Sequence, residues 1–369
     1  IMIFVEDLVK IIKKNKINFF TGVPDSILKN FSIYLQNNSK EKHLVATNEG
    51  SAVGLGIGHY LATKKIPCIY MQNSGLSNAI NPLISIASKE VYSVPLFLII
   101  GWRGSPKMQD EPQHMAKGKI TPSLLKLLKI NFCVVNTFND LAKLNKLIKN
   151  SSKSKKIVAC LIKKGVLKII TRKKNKKSNK NNFYRSNFIE KFLENIPKNS
   201  RIISTTGYTS RELMQVRKEK KIKNGKDFYM VGGMGHSSTV ALGYALKTNK
   251  KIFCLDGDGS VLMHLGSLRT IGFANRKNFK HIILNNNCHE SVGGQPTNAH
   301  GINFKNLTKS IGYKNYYKIS KLKGIEKILK IFNNSKGPSC LEVKIKSGTM
   351  KNLSRPKNLI KTKNLFMSN

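Results

Sequence analysis

The sequence predicts an α/β protein with two doubly wound parallel sheets, and two observations lead to this fold class. Short apolar runs without period-two alternation recur along the first half, at residues 17–21, 43–47, 67–72 and 95–101. The second half repeats the pattern, at residues 201–204, 228–231, 251–256, 280–284 and 339–345. Segments compatible with helices follow the runs. Continuous apolar runs are typical of parallel strands that helices cover on both faces, so each half is expected to form its own sheet.

The domain boundaries follow from a polar basic segment between the halves. Residues Arg172–Lys180 (RKKNKKSNK) include no apolar side chain and cannot contribute to a core. A chain of 369 residues can hold two medium-sized cores. We therefore expect a first domain over residues 1–168, a linker over residues 169–184 and a second domain over residues 185–369. A nucleic-acid-binding arm is the alternative interpretation of the basic segment.

Composition limits the classes of protein that remain. The sequence has no apolar run of about eighteen residues and no signal-peptide pattern, which predicts a soluble, cytoplasmic protein. The cysteines form no CxxC pair and no cluster of metal ligands in the sequence, and they are expected to be reduced core thiols. They are Cys68, Cys133, Cys160, Cys254, Cys288 and Cys340.

The formal net charge of +46 suggests a polyanion partner, but the residue types favour another explanation. Arg occurs only nine times, so nearly all the basic charge is Lys, spread along the chain with abundant Asn and Ile. This combination is typical of AT-rich coding sequence, whereas nucleic-acid-binding surfaces concentrate Arg and aromatic residues. We expect no nucleic-acid partner and no membrane partner. A polyanion-binding protein on a decayed enzyme scaffold is the competing hypothesis outside the enzymes.

Glycine-rich turns mark the expected ligand-binding edge of each sheet. They lie where predicted strands end and helices begin, at Gly22–Ser26 (GVPDS), Gly232–Gly235 (GGMG) and Gly257–Ser260 (GDGS). Ligands of open α/β sheets bind at the carboxyl ends of the strands. These loops are therefore expected to line the functional site.

The turn Gly257–Ser260 and the Asn run at 285–287 together predict a metal and diphosphate site. Gly257, Gly259 and Ser260 begin a predicted helix over residues 261–273, whose first N–H groups would face a phosphate. Asp258 and Asn286 are 28 positions apart, the length of one helix and one returning strand, so they are expected at adjacent strand ends. Mg²⁺ prefers oxygen ligands, here the Asp258 carboxylate, the Asn286 amide oxygen and the main-chain carbonyl of Cys288. The alternative is that Asp258 caps a helix and the Asn residues form a turn.

In this order, GDGS, a helix, a strand and two Asn residues resemble the cofactor motif of thiamine-diphosphate enzymes. The segment Asn48–Gly54 (NEGSAVG) resembles the part of that family that carries the cofactor-activating glutamate. Four further strings are similar to phosphonopyruvate decarboxylases and, less closely, to sulfopyruvate decarboxylases. They are Gln72–Asn78 (QNSGLSN), Gly101–Gly104 (GWRG), Asp110–His114 (DEPQH) and Glu290–Thr297 (ESVGGQPT).

The resemblance implies thiamine diphosphate and Mg²⁺ as cofactors, with a pyrimidine-binding domain followed by a diphosphate-binding domain. It implies that Glu49 activates the cofactor, although a carboxylate that stabilises the start of a helix is the alternative. Met234, between Gly233 and Gly235, would support the bent cofactor, and Ser74 and Thr206 would contact it. In the family the activating glutamate reaches a cofactor held by another subunit. A homodimer or homotetramer with active sites between subunits is therefore expected.

The reaction implied is the decarboxylation of 3-phosphonopyruvate to phosphonoacetaldehyde and CO₂ in phosphonate biosynthesis. Sulfopyruvate or another small anionic 2-oxo acid is the alternative substrate. Asp25, Gln113, His114 and His289 are the candidates for catalysis, mainly as proton carriers. Candidates for contacts to the substrate are Arg103, Lys107 and His114, and His289 is a further candidate for positive charge beside a phosphonate. Arg103 has an alternative role, in which it ties down its own loop through a carboxylate such as Asp110.

The sequence departs from the family pattern after Asn286, where Gly and then Ala are expected. Asn287 and Cys288 stand there instead. Asn tolerates left-handed backbone better than other non-glycine residues, and a carbonyl ligand does not depend on its side chain. The predicted metal site is therefore compatible with this departure.

Overall fold

A computed structural model of the protein describes residues 2–38, 42–169, 183–356 and 358–368. These residues divide into two compact units. The first unit contains the described residues up to 169 together with His289–Pro296, and the second contains the remaining described residues from 183 onward. Most of the predicted linker, including Arg172–Lys180, lies outside the described residues, so the linker stays a prediction. Within the described residues, no helix is both long and apolar enough to cross a membrane.

The first unit alternates strands and helices along the chain. Its strands are β1 (Ile3–Phe4), β2 (Phe20–Gly22), β3 (His43–Val45), β4 (Cys68–Gln72), β5 (Phe97–Gly101), β6 (Asn131–Val135), β7 (Val158–Ile162) and β8 (Leu167–Lys168). Its helices are α1 (Val5–Lys14), α2 (Lys29–Asn38), α3 (Glu49–Thr63), α4 (Leu76–Pro82), α5 (Pro112–Leu127) and α6 (Asp140–Ser154), and a π-helical turn (Leu83–Ala87) continues α4. A short pair, β1 with β8, stands apart from the main sheet.

Six strands of the first unit form a parallel sheet in the order β3-β2-β4-β5-β7-β6. Both faces of this sheet are buried. In β4, Cys68 and Tyr70 point into one apolar cluster, whereas Ile69 and Met71 point into another on the opposite face. A strand with two buried faces has no polar positions to alternate with apolar ones, which explains the continuous apolar runs in the sequence.

The second unit repeats this design. Its strands are β9 (Arg201–Ser204), β10 (Lys226–Tyr229), β11 (Ile252–Gly257), β12 (Phe279–Asn285), β15 (Asn315–Ile319) and β16 (Ser339–Lys344). Its helices are α7 (Arg185–Asn195), α8 (Tyr208–Lys220), α9 (Ser237–Ala245), α10 (Asp258–Met263), α11 (Ser267–Ala274), α12 (Phe304–Ser310), α13 (Ile325–Asn334) and α14 (Leu359–Met367). After β12 the chain forms a small hairpin from β13 (Cys288–His289) and β14 (Gln295–Pro296).

The second sheet is also parallel, in the order β10-β9-β11-β12-β16-β15. Numbered within each sheet, both units have the strand order 2-1-3-4-6-5. In the second sheet the order reverses between β9 and β11, and in the first between β2 and β4. Such switch points are where doubly wound sheets bind their ligands.

The predicted fold class is confirmed, with corrections to individual elements. Each predicted apolar run contains or overlaps a strand, but the prediction omits β6, β7 and β15 of the main sheets, as well as the two-residue strands β1, β8, β13 and β14. Strands β6 and β15 lie at sheet edges and are only partly buried, whereas β7 is fully buried and carries the same apolar signal as its neighbours. The single helix predicted over residues 261–273 is wrong. His264 leaves the helical conformation (φ −134°, ψ 53°), so α10 and α11 are separate helices.

Candidate active site

In the second unit, Asp258 and Asn286 lie at the carboxyl ends of neighbouring strands. Strands β11 and β12 are parallel partners, with Gly257 opposite Leu284. Asp258 follows Gly257 directly, and Asn286 follows the last residue of β12. The Asp258 carboxylate is buried and accepts hydrogen bonds from the Thr297 hydroxyl and from the backbone N–H of Asn286. The two side chains therefore lie at adjacent strand ends, as their spacing of 28 positions predicts.

The environment of Asp258 fits a divalent cation. Burial raises the pKa of its carboxyl to about 6, because the hydrogen bonds that it accepts do not offset the loss of water. A bound cation would compensate the buried negative charge. Asn286 places its amide oxygen close by, where it accepts a hydrogen bond from the Cys288 N–H at 3.1 Å. Carboxylate, amide and carbonyl oxygens are the ligands that Mg²⁺ prefers.

The two neighbouring asparagines have different partners. Asn285 is buried, and its amide donates to Glu342 Oε1 at 2.8 Å, while its oxygen accepts from the Asn287 N–H at 3.2 Å. Both ends of its side chain are therefore used inside the sheet. Asn287 has the left-handed backbone expected for the position after Asn286 (φ 58°). These contacts support Asn286, rather than Asn285, as the candidate metal ligand.

Ser260 connects three loops at this edge of the second sheet. Its Oγ lies 3.0 Å from Thr205 Oγ1 and accepts a hydrogen bond from the Gly235 N–H at 3.1 Å. The side chain is thereby occupied by protein partners. Sequence reasoning named Thr206, which is partly buried, and missed the buried Thr205 beside it. Thr205 could have been found, because it directly follows β9 at the switch point.

The turn at Gly257 leaves room for a phosphate group, whereas the turn around Met234 is closely packed. Met234 is partly buried and lies between two glycines with left-handed backbone, Gly233 (φ 64°) and Gly235 (φ 91°). At Gly235 a Cβ atom would be 2.4 Å from His264 Cδ2, so no side chain fits there. At Gly257 a Cβ atom would meet nothing within 4 Å. The open space beside Gly257 and the backbone of the following turn fit a diphosphate.

In the first unit, Glu49 is the first residue of α3 and its side chain is buried. Its Oε2 accepts a hydrogen bond from Asn78 Nδ2 at 2.8 Å. Its Oε1 lies only 2.1 Å from the position that a Cβ atom at Gly75 would occupy. The carboxyl is therefore held closely by the start of α4. Ser74, another predicted cofactor contact, precedes this glycine and accepts a hydrogen bond from Gln72 Nε2 at 2.6 Å.

Asp25 is a fully buried carboxyl in the turn after β2. Its Oδ2 accepts hydrogen bonds from the N–H groups of Ile27 and Leu28, both at 3.0 Å. Burial nevertheless raises the pKa of Asp25 to about 6, with these hydrogen bonds and Arg103 acting in the opposite direction. A carboxyl with this pKa can exchange a proton near neutral pH. This property supports the prediction that Asp25 carries protons.

Arg103 forms the loop contacts that the alternative interpretation describes. Its guanidinium binds both carboxylate oxygens of Asp110, with Nε to Oδ2 at 2.6 Å. It also donates to Ser26 Oγ at 3.0 Å and to Glu111 Oε1 at 3.2 Å. The guanidinium thus joins the turn after β2 to the loop before α5. A contact between Arg103 and a substrate stays a prediction.

Burial affects the charge of the two candidate histidines. Burial and Arg103 lower the pKa of His114 to about 4, and burial lowers the pKa of His289 to about 4. These shifts favour the neutral form of both rings near neutral pH. A positive charge on His289 beside a phosphonate stays a prediction. Gln113 donates to Glu111 at 2.7 Å, and Lys107 is exposed. A contact between Lys107 and the phosphonate stays a prediction.

Comparisons with known proteins agree with these observations. The family model "Thiamine pyrophosphate enzyme, N-terminal TPP binding domain" matches residues 2–123, and the corresponding C-terminal TPP binding domain matches residues 205–343. The chain is 31% identical to a phosphonopyruvate decarboxylase of Streptomyces viridochromogenes, over 96% of this chain and 92% of that protein. It is 26% identical to a sulfopyruvate decarboxylase of Methanosarcina acetivorans, over 93% of this chain and 91% of that protein. The sulfopyruvate decarboxylase subunit beta of Methanocaldococcus jannaschii is 39% identical over 35% of this chain and 66% of that subunit.

Proposed function

The chain belongs to the thiamine-diphosphate-dependent decarboxylases, and on that premise we propose that it converts 3-phosphonopyruvate to phosphonoacetaldehyde and CO₂. The observation that carries the substrate is the match to a phosphonopyruvate decarboxylase over 96% of the chain. The similar full-length match to a sulfopyruvate decarboxylase is weaker, at 26% identity. Sulfopyruvate is therefore the second candidate substrate.

We assign Mg²⁺ to the second unit, with Asp258, Asn286 and the Cys288 carbonyl as its ligands from the protein. The buried Asp258 carboxylate and the oxygen donors beside it support this assignment. The glycine turn at 257–259 would hold the diphosphate through its backbone N–H groups. Ser260 would mainly stabilise the position of this turn, because its hydroxyl forms hydrogen bonds with Thr205 and with the Gly235 N–H.

Thiamine diphosphate, when bound, supplies an electron sink for the carbon that loses the carboxylate. Glu49 offers a buried carboxyl for hydrogen bonding to the pyrimidine ring, and Asn78 fixes its orientation. The overall reaction takes up one proton for each CO₂ released. Asp25 is our candidate for the group that supplies it, because its pKa of about 6 lets the carboxyl hold a proton near neutral pH.

His114 is our candidate for a hydrogen-bonding contact to the substrate. Its ring is neutral, and among the described residues its buried Nδ1 has no hydrogen-bond partner. Its Nε2 lies 3.9 Å from Glu111 Oε1. A buried nitrogen without a partner costs free energy of folding, and a ligand atom would satisfy it. Lys107 then remains the source of positive charge for the anionic group of the substrate.

We further propose a homo-oligomer, a dimer or tetramer, in which Glu49 of one subunit and the Asp258 site of another share a cofactor. The outer face of α3 supports it. Helix α3 (EGSAVGLGIGHYLAT) has no Lys or Arg, although the chain has 65 such residues. Small and apolar side chains are exposed on it, among them Gly54, Leu55, Gly58 and Leu61. An exposed apolar helix face in a strongly basic protein is typical of a subunit interface.

The test is a parallel assay of CO₂ release from phosphonopyruvate, sulfopyruvate and pyruvate with thiamine diphosphate and Mg²⁺. We expect the highest kcat/KM with phosphonopyruvate and no measurable turnover for Glu49→Gln. The matched control is Glu90→Gln, which removes an exposed carboxylate that pairs with Lys129 at 3.2 Å. A preference for sulfopyruvate would change the substrate assignment. A preference for pyruvate would refute the anionic-substrate proposal.

A further inference from the structure

The hairpin that carries His289 is closed by a glycine turn. Strands β13 and β14 pair, and the Gly294 N–H donates to the His289 carbonyl at 2.9 Å. Gly293 (φ 139°) and Gly294 (φ 78°) provide backbone conformations that side chains disfavour. Residues His289–Pro296 belong to the first unit, although they lie between segments of the second in the sequence. The contacts that hold them to the first unit therefore determine where His289 lies.

One buried hydrogen bond attaches this hairpin to α2. Gln295 has no exposed surface, and its Nε2 donates to Ser32 Oγ at 2.8 Å. Ser32 is equally buried, and its hydroxyl donates to the Lys29 carbonyl at 3.1 Å. Among the described residues, the other end of the Gln295 amide, Oε1, has no partner. Retaining a half-satisfied buried amide costs stability, so the amide is expected to serve position rather than folding.

The Gln295 side chain also fixes the shape of the turn. A Cβ atom on Gly293 would lie 2.6 Å from Gln295 Nε2 and 2.7 Å from its Oε1. The amide therefore packs against Gly293 while it reaches Ser32. Gly293 in the turn, the Gln295 amide and Ser32 in α2 therefore contact one another. We call these three residues the Gln295 clamp.

The clamp connects the hairpin, through hydrogen bonds, to the turn that holds Asp25. The Leu28 N–H donates to Asp25 Oδ2, and the Leu28 carbonyl accepts from the Ser32 N–H at 2.9 Å. Ser32 thus lies one helical turn beyond the residue that binds the Asp25 carboxylate. A side chain that moves relative to Ser32 also moves relative to Asp25.

We propose that Gln295 is a positioning residue for decarboxylation, which sets the His289 hairpin in register with Asp25 through its hydrogen bond to Ser32. The inference rests on the proposed function, in which Asp25 supplies a proton, and on the prediction from the sequence that His289 serves the same reaction. In this proposal the segment Gly293–Pro296 (GGQP) positions other residues of the protein and does not contact the substrate.

The test compares Gln295→Met, which keeps the volume and removes the hydrogen bond, with Ser32→Ala and the double variant. We expect either single change to lower kcat/KM by about tenfold to a hundredfold through kcat, with unchanged thiamine diphosphate affinity in calorimetry. The double variant should lose no more than the worse single variant. The matched control is Asn333→Leu. Asn333 is another buried amide, with one bond to the Asn195 carbonyl at 2.7 Å and an unpartnered oxygen, and its loss should leave kcat/KM unchanged.

Two kinetic results would overturn the proposal: wild-type kcat for Gln295→Met, or independent, additive losses for the two single variants. Hydrogen exchange of residues 289–296 separates this proposal from the proposed function. If the wild type decarboxylates none of the substrates, the proposed function fails, yet Gln295→Met must still accelerate exchange across the hairpin. Unchanged exchange would refute the clamp whatever the activity.

Discussion

The contact between Gly75 and Glu49 allows the role of the glutamate to be tested without changing the glutamate. Gly75 precedes α4 with ordinary right-handed backbone (φ −82°, ψ −12°), which alanine adopts without strain. The added methyl group would nevertheless lie 2.1 Å from Glu49 Oε1, 2.4 Å from Cδ and 2.5 Å from Cγ. Gly75→Ala therefore acts on the protein by displacing the Glu49 carboxyl.

The size of the displacement sets the expected effect. Ordinary van der Waals contact begins at 3.4 Å, so the carboxyl must retreat by about 1 Å or α4 must shift. Retreat also stretches the 2.8 Å hydrogen bond from Asn78. Misplacing a catalytic group by about 1 Å costs on the order of 10²-fold in rate, which corresponds to about 2.7 kcal/mol of activation free energy.

The assay is kcat/KM for phosphonopyruvate at saturating thiamine diphosphate and Mg²⁺, with thermal unfolding as a check of the fold. Gly243→Ala is the matched control, because Gly243 lies inside α9 and a Cβ atom there meets nothing within 4 Å. That change should keep full activity and add up to about 1 kcal/mol of stability. If Gly75 acts only through Glu49, then Gly75→Ala should have no further effect in the Glu49→Gln background. A folded Gly75→Ala enzyme with wild-type kcat/KM would refute the inference that Gly75 sets the position of the Glu49 carboxyl for the reaction.

Three further predictions concern charge and metal binding. Burial raises the pKa of Asp25 from 3.8 to about 6, so ionising this carboxyl costs folding free energy. The cost is absent below about pH 4, grows as the pH rises, and is complete above about pH 6. Asp25→Asn should gain about 3 kcal/mol of unfolding free energy over the wild type between pH 4 and pH 7 in denaturant titrations, and a constant difference would contradict the shift. Arg103→Met should lower stability by about 1–3 kcal/mol, because it leaves the partly buried Asp110 carboxylate with backbone N–H partners only. It should change KM for phosphonopyruvate and pyruvate by the same factor, and a selective rise for phosphonopyruvate would instead place Arg103 on the phosphonate. Asn286→Ala should raise the Mg²⁺ concentration required for activity about tenfold or more, whereas Asn285→Ala should lower stability by about 1–3 kcal/mol and leave that requirement unchanged. The reverse result would exchange their roles.

The parts of the structure that the sequence predicted are those set by local patterns. Strands buried on both faces show as continuous apolar runs, as in β4 and β11. The proximity of Asp258 and Asn286 followed from the number of residues between them. A segment of this length forms a helical connection and one returning strand, which places both residues at adjacent strand ends. The left-handed backbone of Asn287 agrees with the glycine that the family pattern has at this position and with the tolerance of Asn for this conformation.

The parts that the sequence did not predict depend on contacts between distant segments. Neither the bond from Asn78 to Glu49 nor the bond from Gln295 to Ser32 has a local signal, because each joins loops or helices that only the folded chain brings together. Charge states behave in the same way. His114 was expected to titrate near neutral pH, but burial beside Arg103 lowers its pKa to about 4, and burial is a property of the tertiary structure.

The shared strand order of the two sheets has a consequence for how their chemistry is divided. The third and fourth strands of the second sheet are followed by Asp258 and Asn286, whereas those of the first sheet are followed by Asn73 and Trp102. The Asn73 amide donates hydrogen bonds to the Arg103 carbonyl and to the Thr121 hydroxyl. Trp102 donates its indole N–H to the Gly118 carbonyl. The scaffold is thus symmetrical while its ligand chemistry is not. A single carboxylate after the third strand distinguishes the half to which we assign the metal from the half to which we assign the pyrimidine ring. The fold alone would not reveal which is which.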